Sequence, residues 1–490
     1  MSKQLPPQAV MSDDSADVEK QGGFKGYLAA LWASSRVETQ GIQPVPLEKR
    51  TSTRYFNVFT VWFSTNTNIL AITFGMLGPV VCGLSLRDSA IVILTFSLLC
   101  TLPPAYFSTL GPKTGMRQMV QARYSFGRWL VTIPVILNLA TLTSFLIIIC
   151  VIGGECFSAA AGGSMSPTIG IVIAALLALF VSFWGFHILH FFETYAWVPA
   201  IVAVMITVGC GAPQLRLQSV PEAPGPAQIL SFGGIIASYL IPWAGIASDL
   251  TTYFSPSAKL ASTRIFVYSY LGLLVPTVLL MTLGAAIGGA IPNVPGWQEA
   301  LADNQIGGVL GAMLAPVNGF GRFLLVVLAL SLLANMSSTM YAITLNFQMI
   351  MPLRVPRYVY SVVTTAIVIP LAIKAVENFF LNLEHLVALI GYWSASFVGI
   401  IFAENVAFRS NTTSSYDPEI WDVASALPSG LAAIGAAVLS FGLVVPCMGQ
   451  VWWTGPIAAT TGDIGFVVAF VCSALFYLPL RSFEKKRLQR

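Results

Sequence analysis

Five consecutive residues with hydroxyl or amide side chains, Ser64-Thr65-Asn66-Thr67-Asn68, stand inside an otherwise apolar stretch. Such side chains donate and accept hydrogen bonds at once, and their modest helix propensity predicts local unwinding of any helix that contains them. A second interruption, Gly233-Gly234 followed by Pro242-Trp243-Ala244-Gly245, removes a backbone donor and loosens the chain. Asn138 is a lone amide between Ile136-Leu137 and Leu139-Ala140, and Asn335-Met336-Ser337-Ser338-Thr339 is another polar cluster in apolar surroundings. Acidic side chains inside or beside such stretches are few: Glu155, Asp249, Glu377, Glu384 and Glu404. Each is able to carry a proton, and Asp249 could equally cap a helix.

Other chemistry finds little support. The seven cysteines form no CxxC pair and read as small core hydrophobes. His187 and His190 can share a helix face, but no third ligand is near in sequence, so an interfacial role is expected and no metal site. Clusters of His with Asp or Glu, as hydrolytic and metal enzymes require, are missing from the apolar stretches, so no enzyme is expected. No Lys or Arg stands at the middle of any apolar stretch, so a carboxylate or phosphate ligand would lack a counter-charge and a neutral ligand is inferred. Amides match the adjacent donor and acceptor on the edge of adenine, cytosine presents a similar edge, and Trp243 could stack on such a ring.

The elements that must position these groups are membrane helices. The chain has 490 residues, 56% hydrophobic and only 9% charged. With a mean hydropathy of +0.77 it has too few charges to cover a soluble globule, so its solvent is lipid. Apolar windows of about 20 residues, the length that crosses a bilayer core, recur from residue 54 onward and give about twelve spans. They are expected near residues 54–80, 89–110, 129–153, 166–189, 196–211, 229–247, 266–290, 322–349, 358–374, 385–408, 430–446 and 464–480, with no evident place for strands. An even number of spans puts both ends on one side. If that side is the cytoplasm, all of the 25 Lys and Arg lie there except Arg87, Arg216, Arg322 and Lys374, as the positive-inside rule requires.

The fold expected is therefore an all-α integral membrane protein. Residues 1–53 form a largely disordered cytoplasmic tail without the apolar core of a secretory signal. Residues 54–408 form a transport core of ten helices, residues 409–480 a cytoplasmic loop and two further helices, and residues 481–490 a basic tail facing lipid headgroups or serving as a simple stop-transfer flank. Interruptions in the first and sixth of ten helices are the layout of transporters built from two inverted five-helix repeats, with cargo bound near the midplane. Asn138 in the third span and Asn335 in the eighth correspond under that repeat. Glycine, proline and hydroxyl residues also serve ordinary helix packing in membranes, so the joint pattern is what points to transport.

Several segments resemble the fungal purine and cytosine permeases of the first nucleobase cation symporter family. Val37-Glu38-Thr39-Gln40-Gly41-Ile42 with Pro44-Val45-Pro46, then Trp62-Phe63-Ser64-Thr65-Asn66, are similar to that group. The sharpest likeness is Gly111-Pro112-Lys113-Thr114-Gly115-Met116-Arg117-Gln118-Met119-Val120 with Ala122-Arg123-Tyr124-Ser125-Phe126-Gly127, and Leu389-Ile390-Gly391-Tyr392-Trp393 adds to it. The resemblance implies a plasma-membrane importer that moves a nucleobase, cytosine or a purine, with a cation, commonly a proton, and without a bound cofactor. It places Ser64, Asn138 and Asn335 at the substrate, with Asn66, Trp243 and Ser338 beside them and Asp249 and Thr339 in cation coupling or gating. The eighth span departs from the family pattern of two adjacent asparagines followed by a proline, having Met336 and Ser338 instead. A related heterocycle such as a vitamin B6 vitamer is the alternative cargo, and a non-transporting membrane sensor is the alternative class. The partners expected are a small neutral heterocycle and membrane lipid, with no nucleic acid.

Overall fold

A computed structural model describes residues 41–183, 195–258, 260–351, 355, 357–377, 379–409, 416–450 and 452–488. The tail up to residue 40, the pair His187 and His190, and the side chain of Glu384 lie outside the described residues. Among those described, eight helical stretches are long and apolar enough to cross a bilayer, and four shorter apolar helices bring the set to twelve spans.

The first span is split into Phe56–Asn66 and Ile69–Val80, the second runs from Leu86–Cys100 on through Leu102–Ser108 and Leu110–Thr114, and the third is Thr132–Ala160. Pro167–Phe183 and Trp197–Gly211 are the fourth and fifth. The sixth, Pro226–Leu240, gives way to the tight turns Ile241–Gly245 and Ala247–Leu250. Ala261–Ala290 is the seventh; Asn318–Ser331 with Leu333–Ile350 make the eighth; Arg357–Ala375 and Phe379–Ala403 are the ninth and tenth. Leu431–Val444 and Gly465–Leu488 complete the set. Both expected interruptions are present. At the first, Asn68 takes an extended backbone (φ −156°, ψ 172°) and its side chain accepts from the Leu70 N–H at 2.9 Å, so one residue ends one half and caps the next.

Packing follows the exchanged-repeat pattern. The seventh span lies along both halves of the first, the sixth lies on the second, the third meets the eighth, and the ninth packs on the third as the eighth packs on the fourth. Membrane helices gain little from apolar burial against one another, so close backbone approach matters more. A Cβ at Gly75 would lie 1.9 Å from the Met281 carbonyl oxygen, and one at Gly284 would lie 1.9 Å from that of Ile72. The two crossing helices therefore touch backbone to backbone at reciprocal positions. Outward faces carry Leu99, Leu279, Val438 and Leu475, all more than half exposed, as lipid-facing positions require.

Four features depart from the sequence expectation. Residues 41–53 are ordered: Arg50 donates to the carbonyls of Val45 (2.8 Å) and Pro112 (3.0 Å), which docks this stretch under the second span. An additional helix, Pro295–Leu314, joins the seventh and eighth spans; its four glycines and mixed polarity hid it from hydropathy. Two short strands, Gly449–Gln450 and Trp453–Thr454, pair as a small hairpin. The twelfth span runs to Leu488, so Arg481 is no part of a tail but a buried residue paired with Glu404 and Glu484.

Candidate substrate site at the broken spans

The two breaks meet. Trp62, just before the first break, contacts Trp243, in the turn that ends the sixth span, edge to face with ring centroids 5.5 Å apart. Tyr239 of the sixth span donates its hydroxyl to Asn66 Oδ1 at 3.1 Å. The third and eighth spans complete the walls. Asn335 Nδ2 donates to the Thr65 carbonyl at 3.2 Å, using a backbone acceptor next to the unwound residues. Asn138 lies against the sixth-span turn so closely that a Cβ at Gly245 would sit 2.6 Å from Asn138 Oδ1. Glycine at 245 is thus what lets the amide approach.

Within this cluster the polar groups divide into two kinds. Asn66 is fully engaged: Nδ2 donates to the Trp62 carbonyl at 3.0 Å while Oδ1 accepts from Tyr239. Asn68 donates to the Thr65 carbonyl at 2.7 Å. Asn335 is engaged at both ends, since its Oδ1 accepts from Thr339 Oγ1 at 3.2 Å, and Ser338 donates to the Ala334 carbonyl one turn back. These groups hold the breaks open and hold the first, sixth and eighth spans in register. By contrast Ser64 Oγ, Thr65 Oγ1, Trp62 Nε1 and both amide atoms of Asn138 are buried without a hydrogen-bond partner. A buried polar atom left unpaired costs about 1–3 kcal/mol, so five such atoms on the first and third spans, beside the sixth-span turn, make this junction the candidate site for a ligand that supplies the missing bonds.

Of the expected substrate residues, Ser64 and Asn138 therefore carry unspent hydrogen-bonding capacity, Trp243 supplies a half-buried indole, and Asn66, Asn335 and Ser338 act as supports. Thr339 donates to Asn335 Oδ1 and so positions that amide. Asp249 stands elsewhere: its carboxylate accepts from the Gln118 N–H at 2.7 Å and its carbonyl accepts from Arg117 Nη1 at 2.7 Å. It caps the helix Gln118–Phe126, which lies in the loop after the second span. Ser248, bonded to the Phe107 carbonyl and Gln118 Oε1, and Thr251, bonded to the Ser108 carbonyl, complete that staple.

Three contributors were not expected from sequence. Trp62 and Tyr239 stand four or fewer residues from expected positions, yet only tertiary contact shows that one indole faces the other and that the phenol takes up Asn66. Trp393 of the tenth span donates its ring N–H to Thr141 Oγ1 at 2.9 Å, one helical turn from Asn138 on the third span.

On the loop side, Arg123 of the capped helix pairs with Asp422 at 2.7 Å and lies 4.9 Å from the centre of the Trp421 ring. Burial pulls its guanidinium down to about 10, helped by neighbouring Arg128 and opposed by Asp422.

Comparison with known proteins gives the family and the fold. A family model described as "Permease for cytosine/purines, uracil, thiamine, allantoin" matches residues 44–469. The purine-cytosine permease fcyB of Emericella nidulans is 31% identical over 99% of this chain and 98% of its own length. The vitamin B6 transporter TPN1 of Saccharomyces cerevisiae is 26% identical over 94% and 90%. The structure of Mhp1, a nucleobase-cation-symport-1 family transporter, in a closed conformation with bromovinylhydantoin bound, superposes with a TM-score of 0.70. That match covers 92% of this chain and 96% of Mhp1 at 14% identity, which shows a shared fold. The match over nearly the whole chain, together with the paired breaks and the unspent amide between them, places this multi-pass membrane protein in the family of permeases for cytosine/purines, uracil, thiamine and allantoin.

Proposed function

We propose that the protein imports a neutral nucleobase, cytosine or a purine, by symport with a proton, through alternating access around the junction of the first and sixth spans. It does so in the plasma membrane with both termini in the cytoplasm. The observation that carries this reading is Asn138, whose donor and acceptor are both buried and unpaired beside Gly245. A side-chain amide in that state suits a ring edge that presents an acceptor next to a donor. Ser64 and Thr65 supply hydroxyls from the first span, and Trp62 with Trp243 supply aromatic surface. The purine-cytosine permease relative supports the cargo class. The basic residues Lys485, Lys486 and Arg487 at the end of the last helix suit anionic headgroups of a cytoplasmic leaflet.

The test is competition. Cells lacking other permeases and expressing this chain are given labelled cytosine with a panel of unlabelled rings, and cytosine, adenine, guanine or hypoxanthine is expected to compete. A second reading, a vitamin B6 vitamer as cargo, is favoured by the similarity to TPN1 over most of both chains. No specific uptake of labelled cytosine, with saturable uptake of labelled pyridoxine by the same cells, would replace the first reading with the second.

A further inference from the structure

Near the far end of the third span, well away from the break, Glu155 is completely buried. Neither of its carboxylate oxygens closes a hydrogen bond, and no charged partner meets it among the described residues. The groups turned toward it are the backbone N–H groups of Ile306 and Gly307, on the extra helix Pro295–Leu314. That helix sits on the third span at this residue: Asn304 Nδ2 donates to the Glu155 carbonyl at 3.0 Å, and a Cβ at Gly307 would lie 2.4 Å from the same oxygen. At the point of contact the helix is distorted, with Asn304 at φ −146°, ψ 38° and Gln305 at φ 43°, ψ −133°. A positive φ at a residue with a side chain is strained, and such strain clusters at ligand clamps and switch regions.

The charges on the surrounding elements do not answer Glu155. Glu299 and Asp303, on the same helix, are exposed. Arg322 of the eighth span packs against Gly162, where a Cβ would lie 2.7 Å from its guanidinium. Lys374 of the ninth span pairs with Glu377 at 2.6 Å on the surface, and the fourth span, Pro167–Phe183, has no charged residue. The thiol of Cys156 is the nearest titratable neighbour in sequence and is also buried. A cavity of about 900 Å³, lined in part by Ser158, Asn304, Gly308, Asn318 and Arg322, opens beside the seated helix and offers a route for water.

We propose that Glu155 is a proton-binding site, and that seating of the helix Pro295–Leu314 over the third span takes up one proton from solution onto its carboxylate. A fully buried carboxylate with no cation beside it is costlier as the anion than as the acid, because loss of hydration outweighs what the Ile306 and Gly307 N–H groups return. With the helix lifted, water from the cavity reaches Glu155 and the anion is stable. With the helix seated, as here, the acid is the less costly form. Closure binds a proton, so a lower pH on this side favours the closed form and a higher pH favours the open one. This assigns a residue to the proton of the symport reading, on which the assignment rests: taken up from outside on closure, the proton leaves to the cytoplasmic side when the inward-open form hydrates the carboxylate, which resets Glu155 as the anion for the next cycle.

The test measures initial uptake of labelled cytosine against external pH, from about pH 5 to about pH 7.5, with internal pH fixed. Wild-type uptake is expected to rise as external pH falls, by up to about tenfold per pH unit, the limit for one linked proton. Glu155→Gln, which fixes the neutral form, is expected to make uptake independent of external pH while the protein still reaches the membrane. Glu155→Asp, which keeps an acid in place, is expected to retain a slope. A wild-type slope in E155Q overturns the assignment and leaves proton symport standing, whereas a flat wild-type profile overturns proton symport itself. Loss of the slope in both E155Q and E155D would show damaged packing and also overturn the assignment. Thermal melting of purified protein gives a check without substrate: the wild type should lose stability relative to E155Q as pH rises, and parallel curves would overturn the site.

Discussion

Two buried polar clusters in this molecule are built on opposite principles. At the base of the tenth and twelfth spans, Glu404 accepts from Arg409 at one oxygen and from Tyr477 and Arg481 at the other. Glu484 accepts from the Ser429 N–H and hydroxyl at one oxygen and from Arg481 at the other. All four carboxylate oxygens are spent. At the meeting of the first and sixth spans, five polar atoms of Trp62, Ser64, Thr65 and Asn138 are spent on nothing. A saturated cluster fixes helices against one another, and an unsaturated one keeps bonding capacity for a guest. Residue type alone does not separate the two, because both are polar groups buried among apolar spans.

The largest effect that sharpens this contrast is expected at the saturated cluster. Glu404→Ala takes the shared carboxylate from buried Arg481, which keeps only Glu484, and from half-buried Arg409, and breaking a buried pair costs about 3–5 kcal/mol. The variant should be depleted from the membrane and polydisperse on size-exclusion chromatography; a wild-type profile would break the comparison. Asn138→Ala is expected to behave oppositely. It removes two unspent groups, so melting stays level or rises, while kcat/KM for uptake falls about 30-fold, the equivalent of two neutral hydrogen bonds at roughly 1 kcal/mol each. Unchanged uptake kinetics would remove Asn138 from the site.

Asp249→Ala strips the cap from the helix Gln118–Phe126 and should cost about 1 kcal/mol of stability, read as a lower melting temperature. Its effect should fall on the maximal rate of uptake rather than on the apparent affinity, and a change in affinity alone would place Asp249 at the ligand. Smallest is the stability effect of Asn335→Ala, about 0.6 kcal/mol for one interhelical hydrogen bond in a membrane. Its uptake should fall less than that of the Asn138 variant, because Asn335 already holds Thr65. A larger loss than at Asn138 would reverse the two roles.

The spans were legible in the sequence because a bilayer imposes their length and their apolarity, and the breaks because Ser64 to Asn68 and Pro242 to Gly245 contradict helix formation locally. The helix Pro295–Leu314 was not, since Gly296, Gly307, Gly308 and Gly311 weaken its local signal and its stability comes from the third and eighth spans beneath it. Within the site, Asn138 and Asn335 look alike as lone amides in apolar helices. What distinguishes them is the Thr65 carbonyl within reach of one and Gly245 beside the other, contacts between residues far apart in the chain.

The glycine crossings of the seventh span have a mechanical consequence. Gly75 and Gly284 jam its backbone against the upper half of the first span, and a Cβ at Gly272 would lie 2.8 Å from the Phe59 carbonyl oxygen of the lower half. One continuous helix thus touches both pieces of a broken one, on either side of the fracture at Thr67 and Asn68. Bending at the fracture would have to pull these backbone contacts apart. A swing that keeps them carries both halves of the first span along with the seventh and leaves the bending that alternating access demands to other joints.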